Sequence, residues 1–275
     1  MKCSGHLQKM RNTLSNPVDY HLLLDDHAEH LNPYIGKKIS IDYAGAIHCT
    51  ACGRKTNKSY SQGHCYPCFQ KLPQCDMCIM KPETCHYDAG TCRDSNWGDD
   101  HCMQPHYVYL ANSSGIKVGI TRGTQIPTRW IDQGASQALP IFKVSHRKLS
   151  GLIEVALKDH VSDRTDWRKM LKGSPEAVDL IERRNELLAL ASKELDTLRE
   201  QFGEQAMEVL TDAEIVSITF PVEQYPEKIK SLNLEKTPHV EGVLQGIKGQ
   251  YLILDCGVIN LRKYTGYDVT FSLNE

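Results

Sequence analysis

Four cysteines stand in two matched pairs, Cys49-x-x-Cys52 and, after a loop of twelve residues, Cys65-x-x-Cys68. Two residues between cysteines let both sulfurs of a tight turn reach one ion. The loop between the pairs lets the two turns face each other and complete a tetrahedron of thiolates, with zinc–sulfur distances of about 2.3 Å. Gly53 and Gly63 supply backbone freedom beside the turns. Free buried thiols would leave the pairing unexplained, and a thioredoxin-like redox pair would sit in a βαβ pattern that neither motif has. The spacing predicts a structural zinc ion on Cys49, Cys52, Cys65 and Cys68. With four protein ligands, that ion has no position open for catalysis.

More thiols follow. Cys78, Cys85 and Cys92 are separated by six residues each, and Cys102 comes after nine more. A second zinc ion on these four is the expected arrangement. His86 or His106 could replace one sulfur, and Cys75 is either a ligand or a spare. An iron–sulfur cluster would use the same thiolates. His101 also lies nearby.

Residues 115–149 carry Lys117, Arg122, Arg129, Lys143, Arg147 and Lys148 against Asp132 alone, six positive charges to one negative. In a chain of net charge −2 this is a local basic surface. Charged loops are commonly no more than solvated faces. Here the charge neighbours Trp130 and Gln133, a mixture suited to holding phosphates and stacking a base. Arg122, Arg129, Trp130 and Arg147 are the candidate nucleic-acid contacts, with DNA or RNA as the expected partner.

The run Tyr107-Val108-Tyr109, Lys117-Val118-Gly119-Ile120-Thr121, Arg129 and Glu154 resembles the GIY-YIG nuclease domain over about 60 residues. In that family two short strands carry the paired motifs, a helix carries an arginine and a later helix carries a metal-binding glutamate. The resemblance implies that Tyr109 matches the first motif's tyrosine and Gly119 the second motif's glycine. It implies that Arg129 stabilises charge on a phosphate under attack, with Arg122 as the competing arginine. Glu154 would hold one divalent cation, and a single carboxylate suits Mg²⁺. Lys117 stands where a general-base tyrosine is expected, so Tyr107, Tyr109 or a neutral Lys117 would have to activate water. The whole chain, with its cysteine turns, the stretch from Thr128 to Ala135 and Gly246-Ile247-Lys248-Gly249-Gln250-Tyr251, is also similar to a bacterial family catalogued only as domain of unknown function 2797. The implied function is a zinc-binding, nucleic-acid-binding protein with a divergent GIY-YIG-like domain. The alternative is a metal-dependent endonuclease.

The elements that must position these residues read as an α+β protein. Residues 1–48 are β-rich, with Lys37–Tyr43 alternating before a turn signal at Ala44-Gly45-Ala46. Residues 49–106 form a cysteine-rich, zinc-binding module with few aliphatic side chains, so metal must organise it. Residues 107–171 form the GIY-YIG-like domain, with strands at Tyr107–Leu110 and Ile116–Ile120 joined by Asn112–Gly115, and helices starting near Pro127 and Ser150. Residues 172–203 read as one long helix, with Ser174 as N-cap, Pro175 in the first turn and Gly203 as the stop. Residues 204–275 form a C-terminal β module, with a hairpin around Asp255-Cys256-Gly257 and a last short strand at Val269–Phe271. This end carries 6 Lys/Arg against 11 Asp/Glu, which argues against it as a nucleic-acid surface.

At 40% hydrophobic and 24% charged, the 275 residues have an ordinary globular composition. No run approaches the length of a membrane span, and the first residues lack the apolar stretch of a secretory signal. A cytoplasmic, membrane-free location is expected. Nine of the eleven cysteines fall between Cys49 and Cys102, and in a reducing compartment such clustering points to metal rather than disulfides.

Overall fold

The computed structural model describes residues 1–274 as a mixed structure of helices and antiparallel sheets. The first strands are β1 (Lys2–His6), β2 (Arg11–Thr13), β3 (Asp19–Leu24), β4 (His27–His30) and β5 (Lys38–His48). The turn expected at Ala44-Gly45-Ala46 is not one. β5 runs straight through it for 11 residues, and Gly45 absorbs the irregularity with a positive φ of 82°. The cysteine-rich stretch holds only short pieces: β6 (Lys55–Thr56), α1 (Tyr66–Lys71), α2 (Met77–Met80) and α3 (Ser95–His101).

The middle of the chain is β7 (His106–Asn112), β8 (Ile116–Arg122), α4 (Thr128–Asp132), β9 (Gln137–Val144), α5 (Arg147–Leu157) and α6 (Trp167–Met170). The long helix expected from Ser174 is two helices, α7 (Leu180–Leu190) and α8 (Ser192–Phe202), broken at Ala191. Its start moves to Asp179, whose carboxylate accepts from the Ile181 and Glu182 amides. Residues 173–178 are held outside the helix by tertiary bonds: Gly173 O accepts from Lys248 Nζ, Glu176 O from Asn112 Nδ2, and the Gln137 amide brackets Val178. Several such bonds outweigh one favourable cap.

The remaining strands are β10 (Met207–Val209), β11 (Val216–Ser217), β12 (His239–Lys248), β13 (Tyr251–Leu254), β14 (Gly257–Asn260) and β15 (Tyr267–Asn274). The two ends of the chain share one sheet, in the order β1-β15-β5-β12-β13-β14 with β6 on β5. The second sheet runs β10-β9-β7-β8 with β11 on β9, and β2-β3-β4 make a third. Period-2 alternation sends Tyr109 and Ala111 into one core with Trp130, Ile131 and the seven-stranded sheet. It sends Val108, Leu110 and Val118 into a second core under α5, α7 and α8. The second sheet is therefore covered on both faces, and β8 is its edge. No helix among the described residues is long and apolar enough to cross a membrane.

Candidate metal centre and basic cleft

Cys49 directly follows β5, Cys52 comes in a turn closed by Gly53 N–H to Cys49 O at 2.8 Å, and Cys65 caps α1, which carries Cys68 one turn later. Gly53 sits at φ +69°, the left-handed conformation that the knuckle requires. Sulfurs of all four cysteines lie within 4.8 Å of one another, and Cys52 Sγ is 3.7 Å from Cys65 Sγ. This set could hold one zinc ion. Burial alone would raise the Cys49 thiol, but the N–H groups of Cys65, Ala51 and Cys52 outweigh it and bring it down to about 5. Cys68, crowded by the sulfurs of Cys52 and Cys65, is pushed up to about 12. Four thiols this close cannot all ionise without a cation among them. All eleven cysteines are free of disulfides.

Of the second group, Cys78, Cys85, Cys92 and Cys102 line one small cavity together with His86. Cys75 does not line it. That residue is buried, and its neighbours include Ser61 and Cys49 of the first site. His106 is fully buried at the start of β7, with Nδ1 2.7 Å from Gln104 O, and burial lowers its imidazole to about 4. It does not line the cavity of the four cysteines. His101 stacks on Trp97 with ring centroids 4.2 Å apart.

The second feature is a cleft of about 470 Å³ along the edge strand β8. One wall is β8 itself, from Lys117 to Arg122; α4 supplies Arg129, and α5 supplies Arg147 and Glu154. Sequence reasoning named these five. It missed two others that line the same cleft, Asp163 and Arg262. Asp163 arrives because Val118 N–H donates to Ser162 O at 2.8 Å, adding a short parallel bridge to the edge of β8. Arg262 comes from the C-terminal region, whose acidic balance argues against a nucleic-acid surface there. Only the fold of the first sheet brings it here. Five cations and two carboxylates thus share one concavity in a chain of net charge −2.

Burial perturbs the central pair in opposite directions. Lys117 is 4% exposed, and burial followed by the neighbouring Arg129 lowers its ammonium to about 8. Burial, reinforced by Asp163, raises the Glu154 carboxyl to about 7 despite Lys117, Arg129 and Arg147. A lysine pushed down and a glutamate pushed up, facing one cleft, is the pattern of groups poised for proton chemistry or ion binding.

Three expected site residues do not themselves line the cleft. Tyr109 is fully buried, its ring over Gly119 and its hydroxyl donating to Gln133 Oε1 at 3.0 Å; burial raises its phenol, so it is poorly suited to take a proton from water. Tyr107 is half-buried, with its ring against Gly123 and outside the cleft lining. Trp130 is 2% exposed and packs edge-on against Tyr109 at 6.0 Å, so it has no free face for a base. Lys143 stands exposed on β9, and Lys148 pairs with Asp88 at 3.2 Å.

α4 is fixed by a polar network at its end. Asp132 accepts from Asn12 Nδ2 at 2.9 Å and Gln250 Nε2 at 2.8 Å and pairs with Lys9. Gly249, at φ +63°, lets the chain pass so close that a Cβ there would lie 2.9 Å from Asp132 O. Gly249 and Gln250 thereby fix the end of α4, the helix that carries Arg129.

Fold and site together define an α+β protein with a four-cysteine cluster able to hold a metal ion. Its family follows from sequence comparison. A family model described as "Protein of unknown function (DUF2797)" matches residues 36–269, so the chain belongs to that family. No curated protein and no solved structure matches it.

Proposed function

We propose that the β8 cleft binds the phosphate backbone of a nucleic acid, DNA or RNA, in a protein stiffened by zinc on Cys49, Cys52, Cys65 and Cys68. The observation that carries this reading is the convergence of Lys117, Arg122, Arg129, Arg147 and Arg262 on one cleft. Arginine forks suit phosphate geometry, and a concave low-dielectric wall strengthens each contact. Phosphate contacts of this kind bind without reading sequence. Binding of labelled single- and double-stranded oligonucleotides to the native protein and to an Arg122→Ala/Arg129→Ala/Arg262→Ala variant tests it. Loss in the variant supports the reading, and unchanged binding removes it.

Phosphodiester cleavage is a second reading, favoured by the perturbed Lys117 and Glu154. β8 of the β7–β8 hairpin, Arg129 on α4 and Glu154 on α5 line one cleft, which supports the resemblance to the GIY-YIG domain. Glu154 and Asp163 fit a divalent cation, being two carboxylates facing a cleft with room for the waters that Mg²⁺ retains. Bound there, the ion would supply Lewis-acid stabilisation of charge at the scissile phosphate. Lys117, lowered to about 8, has a neutral fraction able to accept a proton from attacking water. Arg129 would hold the phosphate. Incubation with labelled substrates with and without added Mg²⁺, in buffer free of chelators so that the cysteine sites stay loaded, tests this step. Cleavage that needs Mg²⁺ and disappears in Glu154→Gln supports it. Intact substrate throughout leaves binding alone.

A further inference from the structure

Residues 48–107 contribute to none of the three hydrophobic clusters. Between residues 72 and 105 the buried side chains are Pro73, Cys75, Pro82 and Cys102, with Gly98. A stretch of over thirty residues with no aliphatic core still adopts a definite path through α2 and α3. Something other than apolar burial must hold it.

Its cysteines converge. Cys78 lies on α2, Cys85 follows the short turn Pro82–Thr84, Cys92 sits in the next loop and Cys102 caps the end of α3. These four separate pieces meet around one cavity of about 10 Å³, the size of a single ion or water. We propose that a second metal ion, bound by the thiolates of Cys78, Cys85, Cys92 and Cys102, holds residues 75–102 together and builds one wall of the β8 cleft.

A rival set is present. Ligand atoms of Asp76, Cys78 and His86 lie within 4.8 Å of one another. Asp76, however, is already committed: it caps α2 by accepting from Cys78 N–H at 3.2 Å and pairs with Arg93 Nε at 2.6 Å. Arg93 in turn donates to Phe69 O and Leu72 O, tying this stretch to the first cysteine site. His86 Nδ1 is 2.8 Å from Thr91 Oγ1. The three are a bracing network; the sulfurs of Cys78, Cys85, Cys92 and Cys102 line the cavity without all lying within 4.8 Å of one another, and the proposed ion draws them together.

The link to the cleft is direct. Ile79, Met80 and Pro82, which neighbour Cys78 in the chain, also line the cleft. Arg147 Nη2 donates to Ile79 O at 2.8 Å, and Arg147 N–H donates to Cys102 O at 2.8 Å. Pro82 packs on α5 at Gly151, where a Cβ would come within 2.6 Å of it. Only glycine lets the wall approach the helix that carries Glu154.

Metal analysis of the native protein, purified without added metal, is the test. We expect two zinc ions per chain, no acid-labile sulfide, and release of both ions by an organomercurial that consumes eight thiols in doing so. Cys85→Ser/Cys92→Ser should hold one, and His86→Gln should hold two. Amide hydrogen exchange should show residues 76–104 losing protection in the double variant while β7 and β9 keep theirs. One zinc in the native protein, labile sulfide, two ions in the double variant, one in His86→Gln, or unchanged exchange over 76–104 would each overturn the proposal. Should the double variant not fold, the native zinc and thiol counts decide alone.

Discussion

Replacing Glu154 by glutamine tests whether the cleft holds a carboxylate at an energetic cost, as a working site would. The Glu154 carboxyl is raised from 4.5 to about 7, because burial and Asp163 disfavour its charge more than the cations favour it. The folded protein then binds this proton more tightly than the unfolded chain. Between about pH 4.5 and 7 it carries the extra proton, so stability falls as pH rises, and above pH 7 the full penalty is present. At about 1.4 kcal/mol per pKa unit the penalty is at most about 3.5 kcal/mol. Glu154 keeps part of its surface in the cleft, and its removal leaves Lys117 and Arg129 without a partner, so we expect a net gain of about 1–2 kcal/mol. For a chain of this length that is about 2–6 °C in Tm. The assay is thermal unfolding of native protein and Glu154→Gln at pH 5.5 and pH 8 without added Mg²⁺. The variant should be more stable at pH 8, and its advantage should shrink at pH 5.5, where the window from 4.5 to 7 is only partly crossed. A variant less stable at pH 8, or a difference that ignores pH, would refute the reasoning and leave Glu154 a structural ion-pair partner.

Cys52→Ser/Cys68→Ser should lose one zinc ion per chain by metal analysis and unfold the 49–70 stretch, seen as new proteolytic cuts there; retention of that ion would dismiss the first site. Trp130→Ala should cost roughly 3–5 kcal/mol in denaturant unfolding, because the ring fills the core between Tyr109 and Ile131, while Trp130→Phe should leave oligonucleotide affinity unchanged. If Mg²⁺-dependent cleavage is observed, its rate should rise with pH to a plateau above about 8, as Lys117 loses its proton, and Lys117→Met should abolish it.

Local chemistry was legible in the sequence where the structure is local. Cys49, Cys52, Cys65 and Cys68 could be read because two short spacings fix the geometry of two turns. The β7–β8 hairpin was legible from its alternation around a four-residue turn, and α5 from its apolar stripe. β9 was not, because Pro140 interrupts Gln137–Val144. The strand tolerates that proline at a bulge, where the register with β7 shifts between Val108 and Tyr109, and in the gap between β10 and β11 on its other side. The start of α7 was misplaced because bonds from Lys248, Asn112 and Gln137 override the Ser174-Pro175 signal. Arg262 was invisible for a related reason: no local pattern tells that a basic residue in an acidic segment returns to a cleft over a hundred residues away. Trp130 shows the converse, a residue whose type suited base stacking and whose burial forbids it.

The central claim is that the β8 cleft holds nucleic-acid phosphates, and the salt dependence of oligonucleotide binding tests it most directly. Log affinity should fall linearly with log salt, and each cleft cation removed should reduce the slope by roughly 0.7 on single strands and 0.9 on duplex. Arg122→Ala, Arg129→Ala and Arg262→Ala combined should therefore flatten the slope by about 2–3 and weaken binding, while Lys228→Ala/Lys230→Ala/Lys236→Ala, on exposed residues outside the cleft, should leave both unchanged. No binding at low salt, or equal losses from the two sets of substitutions, would contradict the account.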